Sequence, residues 1–389
     1  MTVSPKVSVL HLVAAETMLF PILRDQLCFL RNEGFDIHTA SIEGPIGRRI
    51  QDDGFPWTPV PFTREVAPLA DWRARRFIEG FCRERKFDVV HTHTPKANVV
   101  GQWAARRAGV PIVLQTLHGF YFHDRMPWLK RRVWISIEKF SARHSDHVLC
   151  QNPEDVETAV REGIVSREKI SVLGNGIDLQ RFSPAARTAV RQKIRDELKI
   201  PQDAFVAGMV GRFVAEKGFP EFVAAGRSLI EKIPGLHLLA VGHVQASERA
   251  GETWRVSDAG LLKERLTILQ NRDDMPQLYA AMDVLVLPSH REGFPRALME
   301  GAAMGLPQVA TKIRGCRQVV EDGRTGFLIE VGDVAALSQR IECLAADSAL
   351  RDRLGSAARA KAEAEFDQQA VFRKVSNCYR RLIEMKMKR

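Results

Sequence analysis

The sequence predicts an α/β protein made of two Rossmann-like domains, each an open parallel sheet, facing a central cleft. Three observations predict this. The chain has 389 residues, more than one typical core holds. Short, nearly continuous apolar runs recur, each followed by a helical stretch. Such runs suit parallel strands covered on both faces, and their alternation with helices implies right-handed βαβ units. The runs also divide six and six around the stretch from Gly176 to Ala204, which has turn residues and a helix pattern but no strand.

In the first half the runs are VSVLHLV, DIHTAS, DVVHTH, PIVLQTL, HVLCQN and ISVLGN. In the second half they are FVAGMVG, LHLLAVG, LTILQN, DVLVLPS, PQVAT and GFLIEV. Helix starts are readable between them. In NPEDVETAV, Asn152 can cap, Pro153 fits the first turn, and Glu154 and Asp155 favour the positive helix end. The expected division is residues 1–185 as a first, acceptor-binding domain, 186–366 as a second, nucleotide-sugar-binding domain, and 367–389 as a helix crossing back to the first.

Composition narrows the function. Hydrophobic residues at 45% and charged residues at 27% are ordinary for a soluble globular protein. Lys and Arg total 57 against 47 Asp and Glu, a net charge of +10. That suits an anionic partner: a nucleotide, nucleic acid or an anionic membrane. The six cysteines are scattered without a CxxC pair, which argues for a reducing compartment and against structural zinc. No apolar stretch approaches the roughly 18 residues of a membrane span. PKVSVLHLVAAETMLF mimics a signal peptide, but His11 and Glu16 interrupt it, and a first strand explains it better.

In open α/β sheets ligands bind beyond the carboxyl ends of the strands. Two strand-end segments carry phosphate chemistry. In VGRFVAEKGF, Arg212 can make paired bonds to phosphate oxygens, Lys217 adds a point charge, and Gly211 and Gly218 let the backbone approach closely. The bland alternative is a solvated loop with two chance cations. In SHREGFPRALMEG, a helix opens near Pro295 at its first position, so the amides of Arg296, Ala297 and Leu298 form an anion site. Glu292 precedes that site, where a carboxylate is unfavourable unless it accepts sugar hydroxyls. Glu300, four residues past Arg296, could hold a ribose. The alternative is that Glu292 favours the helix end and Glu300 simply pairs with Arg296.

EGFPRALME resembles the E-x7-E signature of retaining GT-B glycosyltransferases of family 4, formerly group 1. VGRFVAEKGF, RDDMPQLYAAMDVLVLPS and GCRQVVEDGRTGFLIEVGD are similar to the same family. HTHTPKANVVGQWAARRAGVPIVLQTLHGFYFH resembles a branch acting in cell-surface polysaccharide and lipid-linked oligosaccharide assembly. The resemblance covers nearly the whole chain. It implies a retaining transfer of sugar from a nucleotide diphosphate sugar, UDP-linked, to a lipid-linked or glycan acceptor; the lack of a D-x-D in a strand-end loop and of zinc spacing predicts that the transfer needs no metal and no other cofactor. It further implies that Arg212 and Lys217 bind the diphosphate beside Gly293, Phe294, Pro295 and Arg296. Glu292 would bond the transferred sugar, Glu300 the ribose, and the stretch from Arg272 to Met275 would flank the base. His118, in LHGF, would line the reaction centre. The alternatives are a GT-B epimerase or phosphorylase and a non-catalytic nucleotide-sugar binder. Two departures stand out. The usual glycine-rich loop after the first strand reads VAAETMLF, so Glu16 or Thr17 would face the acceptor instead. Gly301 occupies a helix interior where alanine is usual, at about 1 kcal/mol.

His91 and His93 alternate on a strand and point the same way, but the sequence shows no third ligand for a metal. Trp128, Trp134 and Ile135 interleave with Lys130, Arg131, Arg132 and Lys139, and the stretch from Asp71 to Phe87 repeats the mixture. Basic helices with aromatic anchors fit an anionic membrane surface, which the resembled branch's polyprenyl-linked acceptors favour. No nucleic-acid-binding motif is present. The expected location is cytoplasmic, at the inner face of the membrane.

Overall fold

The computed structural model describes residues 6–63, 65, 67–123, 126–243, 262 and 264–387. The chain divides into two compact units, Met1–Gly174 with Gln369–Arg389, and Asn175–Gln368. Each is a parallel-sheet α/β domain.

The first unit holds β1 (Ser8–Leu12), β2 (Asp36–Ser41), β3 (Trp57–Pro59), β4 (Val89–Thr92), β5 (Ile112–Leu117), β6 (His147–Cys150) and β7 (Ile170–Val172). Their order is β3-β2-β1-β4-β5-β6-β7. The second unit holds β8 (Phe205–Arg212), β9 (Leu236–His243), β10 (Leu266–Gln270), β11 (Val284–Leu287), β12 (Gln308–Thr311) and β13 (Gly326–Ile329), ordered β10-β9-β8-β11-β12-β13. Every pairing between these strands is parallel. All lie on apolar runs read from the sequence except β3, a three-residue edge strand ending in Pro59 that has no such run. Strand order reverses between β1 and β4 and again between β8 and β11. These reversals are the places where an open parallel sheet forms a crevice.

Burial explains the strand composition. All four residues of β4 and all four of β11 are buried, as expected for strands covered by helices on both faces. The apolar run near the N-terminus forms β1, paired on both sides by β2 and β4. Asn152 caps the helix Pro153–Arg161, its side chain accepting from the Glu154 amide at 2.8 Å. Gly301 has a packing reason: a Cβ there would lie 2.4 Å from Leu285 Cδ2, so glycine lets the helix Arg296–Ala303 sit close on β11. The helix Gln368–Met387 buries Val371, Phe372, Val375, Tyr379 and Leu382 against Val9, Leu27, Leu30, Val89 and Ile112 of the first unit.

The loop after β1 corrects one expectation. Glu16 does not stand free for an acceptor. Its Oε2 accepts from the amides of Ile46 at 2.9 Å and Gly47 at 3.3 Å, at the start of the helix Pro45–Asp52. A side-chain carboxylate thus occupies a helix end that could otherwise receive an anion.

The helix Trp128–Arg143 is two-faced. Ile135, Glu138, Ser141 and Ala142 are buried, whereas Trp128, Leu129 and Val133 are exposed. Burial, with Asp155 adding repulsion, pushes the Glu138 carboxyl up to about 7 from its usual 4.5. A raised acid binds its proton more tightly when folded, so its stabilising effect is full below pH 4.5 and lost as pH rises through 7. Glu138→Gln should therefore flatten stability across that window and leave the variant more stable than wild type at pH 8, by up to about 3 kcal/mol. Urea unfolding at pH 5 and pH 8 measures this; an unchanged difference between the two pH values refutes it.

Candidate active site

In the second unit the loops after β8 and β11 meet at the strand-order reversal. Lys217 Nζ lies 2.6 Å from Glu292 Oε1, and Ser289 Oγ donates to the same oxygen at 2.9 Å. Neither charged side chain is more than 16% exposed. Further contacts fasten the two loops. The His290 amide donates to the Glu216 carbonyl at 2.8 Å, Arg291 Nε bonds Glu216 Oε1 at 2.8 Å, and His290 Nε2 meets Glu221 Oε1 at 2.6 Å. The stem of Lys217 crosses Gly211, where an added Cβ would lie 3.8 Å from Lys217 Cγ. Arg212 follows Gly211 as the last residue of β8.

The helix Arg296–Ala303 starts without a side-chain cap. Pro295 is the cap residue itself, with φ −71° and ψ 113°, one position earlier than the sequence suggested. The preceding turn is held from three sides. Gly315 packs so closely that a Cβ would fall 2.6 Å from the Glu292 carbonyl and 2.7 Å from that of Gly293. Asn175 Nδ2 donates to the Phe294 carbonyl at 3.3 Å. The Phe294 ring stands edge-on to Phe366 at 6.0 Å.

Glu300 sits one turn further along. Tyr279 OH donates to its Oε2 at 3.0 Å, whereas Arg296 Nη2 reaches Oε1 only at 3.5 Å. The Arg296 pairing exists, but Tyr279 is the closer partner. Burial raises the Glu300 carboxyl above its ordinary range, against the opposing pull of Arg296. Two of the three guanidinium nitrogens of Arg272, Nε and Nη2, are engaged. They bond Asp274 at 2.5 and 2.7 Å and Glu197 at 3.0 Å. Ser289, Tyr279 and Gly315 escaped sequence reasoning: Tyr279 and Gly315 meet partners more than 20 residues away, and nothing in the sequence marks the Ser289 hydroxyl as turned toward Glu292.

In the first unit His118 follows β5. Burial lowers its pKa to about 4, opposed by a bond to Gln151, so the ring is neutral. Its Nε2 is buried without a hydrogen-bond partner. The third imidazole missing from the sequence analysis is present. His11 from β1 joins His91 and His93, the three offering ligand atoms within 4.8 Å of one another.

Two family models match the chain: glycosyl transferases group 1 over residues 190–361, and glycosyl transferase 4-like domain over residues 23–176. A UDP-Gal:α-D-GlcNAc-diphosphoundecaprenol α-1,3-galactosyltransferase of Escherichia coli is 34% identical over 309 residues, covering 78% of this chain and 79% of that protein. The chain belongs to the group 1 glycosyltransferases. The capsular polysaccharide biosynthesis glycosyltransferase CapM of Staphylococcus aureus is 28% identical over 378 residues, covering 95% of this chain and 96% of its own. The structure of Anabaena HepE in complex with UDP and glucose superposes with a TM-score of 0.79 at 21% identity, covering 96% of this chain and 99% of that one. At that identity the likeness is one of fold, GT-B.

In this glycosyltransferase Gly218 joins the two loops. Its φ is +88°, and a Cβ would lie 2.3 Å from the Pro288 carbonyl oxygen. Gly323 has a similar φ of +74° with open space around it. Each glycine-to-alanine change costs roughly 1–3 kcal/mol of backbone strain. Gly218→Ala should lose clearly more than Gly323→Ala in thermal unfolding. Equal losses would mean the Pro288 contact is unimportant.

Proposed function

We propose that this glycosyltransferase moves a sugar from a UDP-sugar to a membrane-associated lipid-linked or glycan acceptor, with retention of configuration and without a metal ion. One observation carries the reading. At the β8/β11 reversal, the uncapped helix start lies between two carboxylates with different partners, Glu292 on a lysine and a serine, Glu300 on a tyrosine. A nucleotide diphosphate sugar needs that order of groups: sugar hydroxyls, phosphates, ribose.

The roles follow from the contacts. Arg212 and Lys217, with the amides of the Gly293–Phe294–Pro295–Arg296 turn, neutralise the diphosphate. The Lys217 and Ser289 bonds of Glu292 both fall on Oε1, so Oε2 takes hydroxyls of the transferred sugar. Glu300, oriented by Tyr279, takes the ribose. Arg272, held through Nε and Nη2 by Asp274 and Glu197, flanks the base. His118, a neutral ring, bonds a hydroxyl at the reaction centre. Fixed cations and helix amides stabilise the departing diphosphate, a role a divalent cation would otherwise fill. The leaving phosphate oxygen then acts as base for attack on the same face, which retains configuration. The names of the Escherichia coli relative and of the HepE complex support the UDP-sugar and the diphosphoprenol acceptor.

Membrane contact rests on the first unit. Among the described residues no helix is long and apolar enough to cross a membrane. The residues that stand out are partly different from those the sequence suggested. Ile135 is 2% exposed and Trp134 packs on Tyr121, whereas Trp128, Leu129 and Val133 are 73, 69 and 53% exposed. On the helix Pro68–Arg85, Leu69 and Trp72 are exposed, while Arg75 is buried against Glu79. A groove of about 410 Å³ lined by Val99, Val133, Ile137 and Phe140, with Arg132 beside them, suits an isoprenoid tail next to an anionic headgroup.

Glu292→Gln should cut turnover strongly with UDP affinity nearly unchanged. Glu300→Ala and Lys217→Ala should each weaken UDP by about 1.5–3 kcal/mol, the worth of a bond to a charged group. Calorimetric UDP titration and initial rates measure both; a reversed pattern for the two glutamates refutes the assignment. Turnover should also persist in EDTA, and its loss with rescue by Mg²⁺ or Mn²⁺ would overturn metal independence.

Replacing Trp128, Leu129 and Val133 together by serine should release the protein from anionic vesicles in a flotation assay. Burying such side chains is worth about 1.5–3 kcal/mol each. Undiminished vesicle binding would place the membrane contact elsewhere.

A further inference from the structure

Where β1, β4 and β5 lie side by side, the first unit buries a row of linked polar side chains. Thr116 Oγ1 lies 2.8 Å from His91 Nε2, and His91 Nδ1 lies 2.6 Å from the Tyr379 hydroxyl. That hydroxyl lies 3.3 Å from His11 Nε2, and His11 Nδ1 lies 2.9 Å from His93 Nε2. The three rings are neutral, because burial drives His11 to about 3 and His91 and His93 well below their ordinary value. A neutral imidazole has one N–H and one bare nitrogen, so each link dictates the next. Two assignments satisfy all four bonds and also give the Tyr379 proton an acceptor in the row. Either His93, His11 and His91 all carry the proton on Nε2 and Tyr379 donates to His91, or all carry it on Nδ1 and Tyr379 donates to His11.

The row ends at two unsatisfied atoms. His93 Nδ1 is buried without a partner, and so is His118 Nε2 on the adjacent ring, 5.8 Å away between centroids. Buried polar atoms of this kind are normally satisfied, and a slight ring shift would join these two directly. Once joined, a bare His93 Nδ1 demands a proton on His118 Nε2, and a protonated one demands the reverse. We propose that Tyr379, on the helix Gln368–Met387, is a positioning residue that sets the tautomer of His118 through His11 and His93. Its effect on turnover rests on the reading of His118 given above; the coupling itself does not.

The test uses the full chain labelled with ¹⁵N-histidine, each ring assigned by its His→Gln variant. Long-range ¹H–¹⁵N spectra should show one tautomer for His118 in wild type and a mixture in Tyr379→Phe. Thr116→Val removes the far end of the row with little change of shape and should act in the same direction, which keeps the test intact if Tyr379→Phe does not fold. With UDP-galactose and a diphosphoprenol-linked GlcNAc as probes, kcat should fall roughly 10- to 100-fold in these variants, as when the group orienting a working imidazole is lost. UDP affinity should stay at the wild-type value. Wild-type His118 signals in both variants overturn the coupling, and unchanged kcat with altered tautomers overturns its role in transfer. A wild-type chain that turns over no nucleotide sugar refutes the functional reading instead, and the spectra still decide the coupling. Ligand-field absorption on adding Co²⁺, lost in His11→Gln, would show a metal centre in place of the row and overturn the proposal.

Discussion

The strand order of an open parallel sheet covered by helices on both faces has to reverse somewhere, because right-handed crossovers reach the second face only when the chain turns back along the sheet. At the reversal, neighbouring connections leave for opposite faces and nothing covers the strand ends between them. In the second unit that constraint sets Lys217 after β8 beside Glu292 after β11, although 75 residues separate them. In the first it sets His11 of β1 beside His91 and His93 of the β4 end. The chemistry of both units is gathered at the point where the backbone leaves room.

The two reversals are furnished in opposite ways. The second is ionic: cations, carboxylates and helix amides, partly exposed, so a charged ligand can exchange places with the protein's own ions. The first is neutral. Its imidazoles are so deeply desolvated that charging any one of them is disfavoured, and hydrogen bonds are what remain.

Much of this was legible in the chain. Parallel strands buried on both faces announce themselves as apolar runs, so nearly every strand could be placed, while the edge strand Trp57–Pro59 carries no such signal. Glu292 and Glu300 could be assigned to a loop and a helix because Pro295 and local turn chemistry fix the helix start nearby. Partnerships across the fold were not legible. Tyr279 lies 21 residues before Glu300 in an apolar helix, and nothing local marks its hydroxyl. Arg272 reads as a free cation until Glu197 is brought to it, and Trp134 and Trp128 are indistinguishable until packing half-buries Trp134 against Tyr121 and leaves Trp128 exposed.

The helix Gln368–Met387 completes the core of a unit whose other residues end at Gly174. All of Asn175–Gln368 lies between. On the ribosome, therefore, the domain begun first is finished second. Its sheet emerges early, with the apolar surface around Val9, Leu27 and Ile112 uncovered, and waits while the second domain is translated and can fold by itself. For that interval the nascent chain carries an open hydrophobic face, the kind of surface on which holding chaperones act.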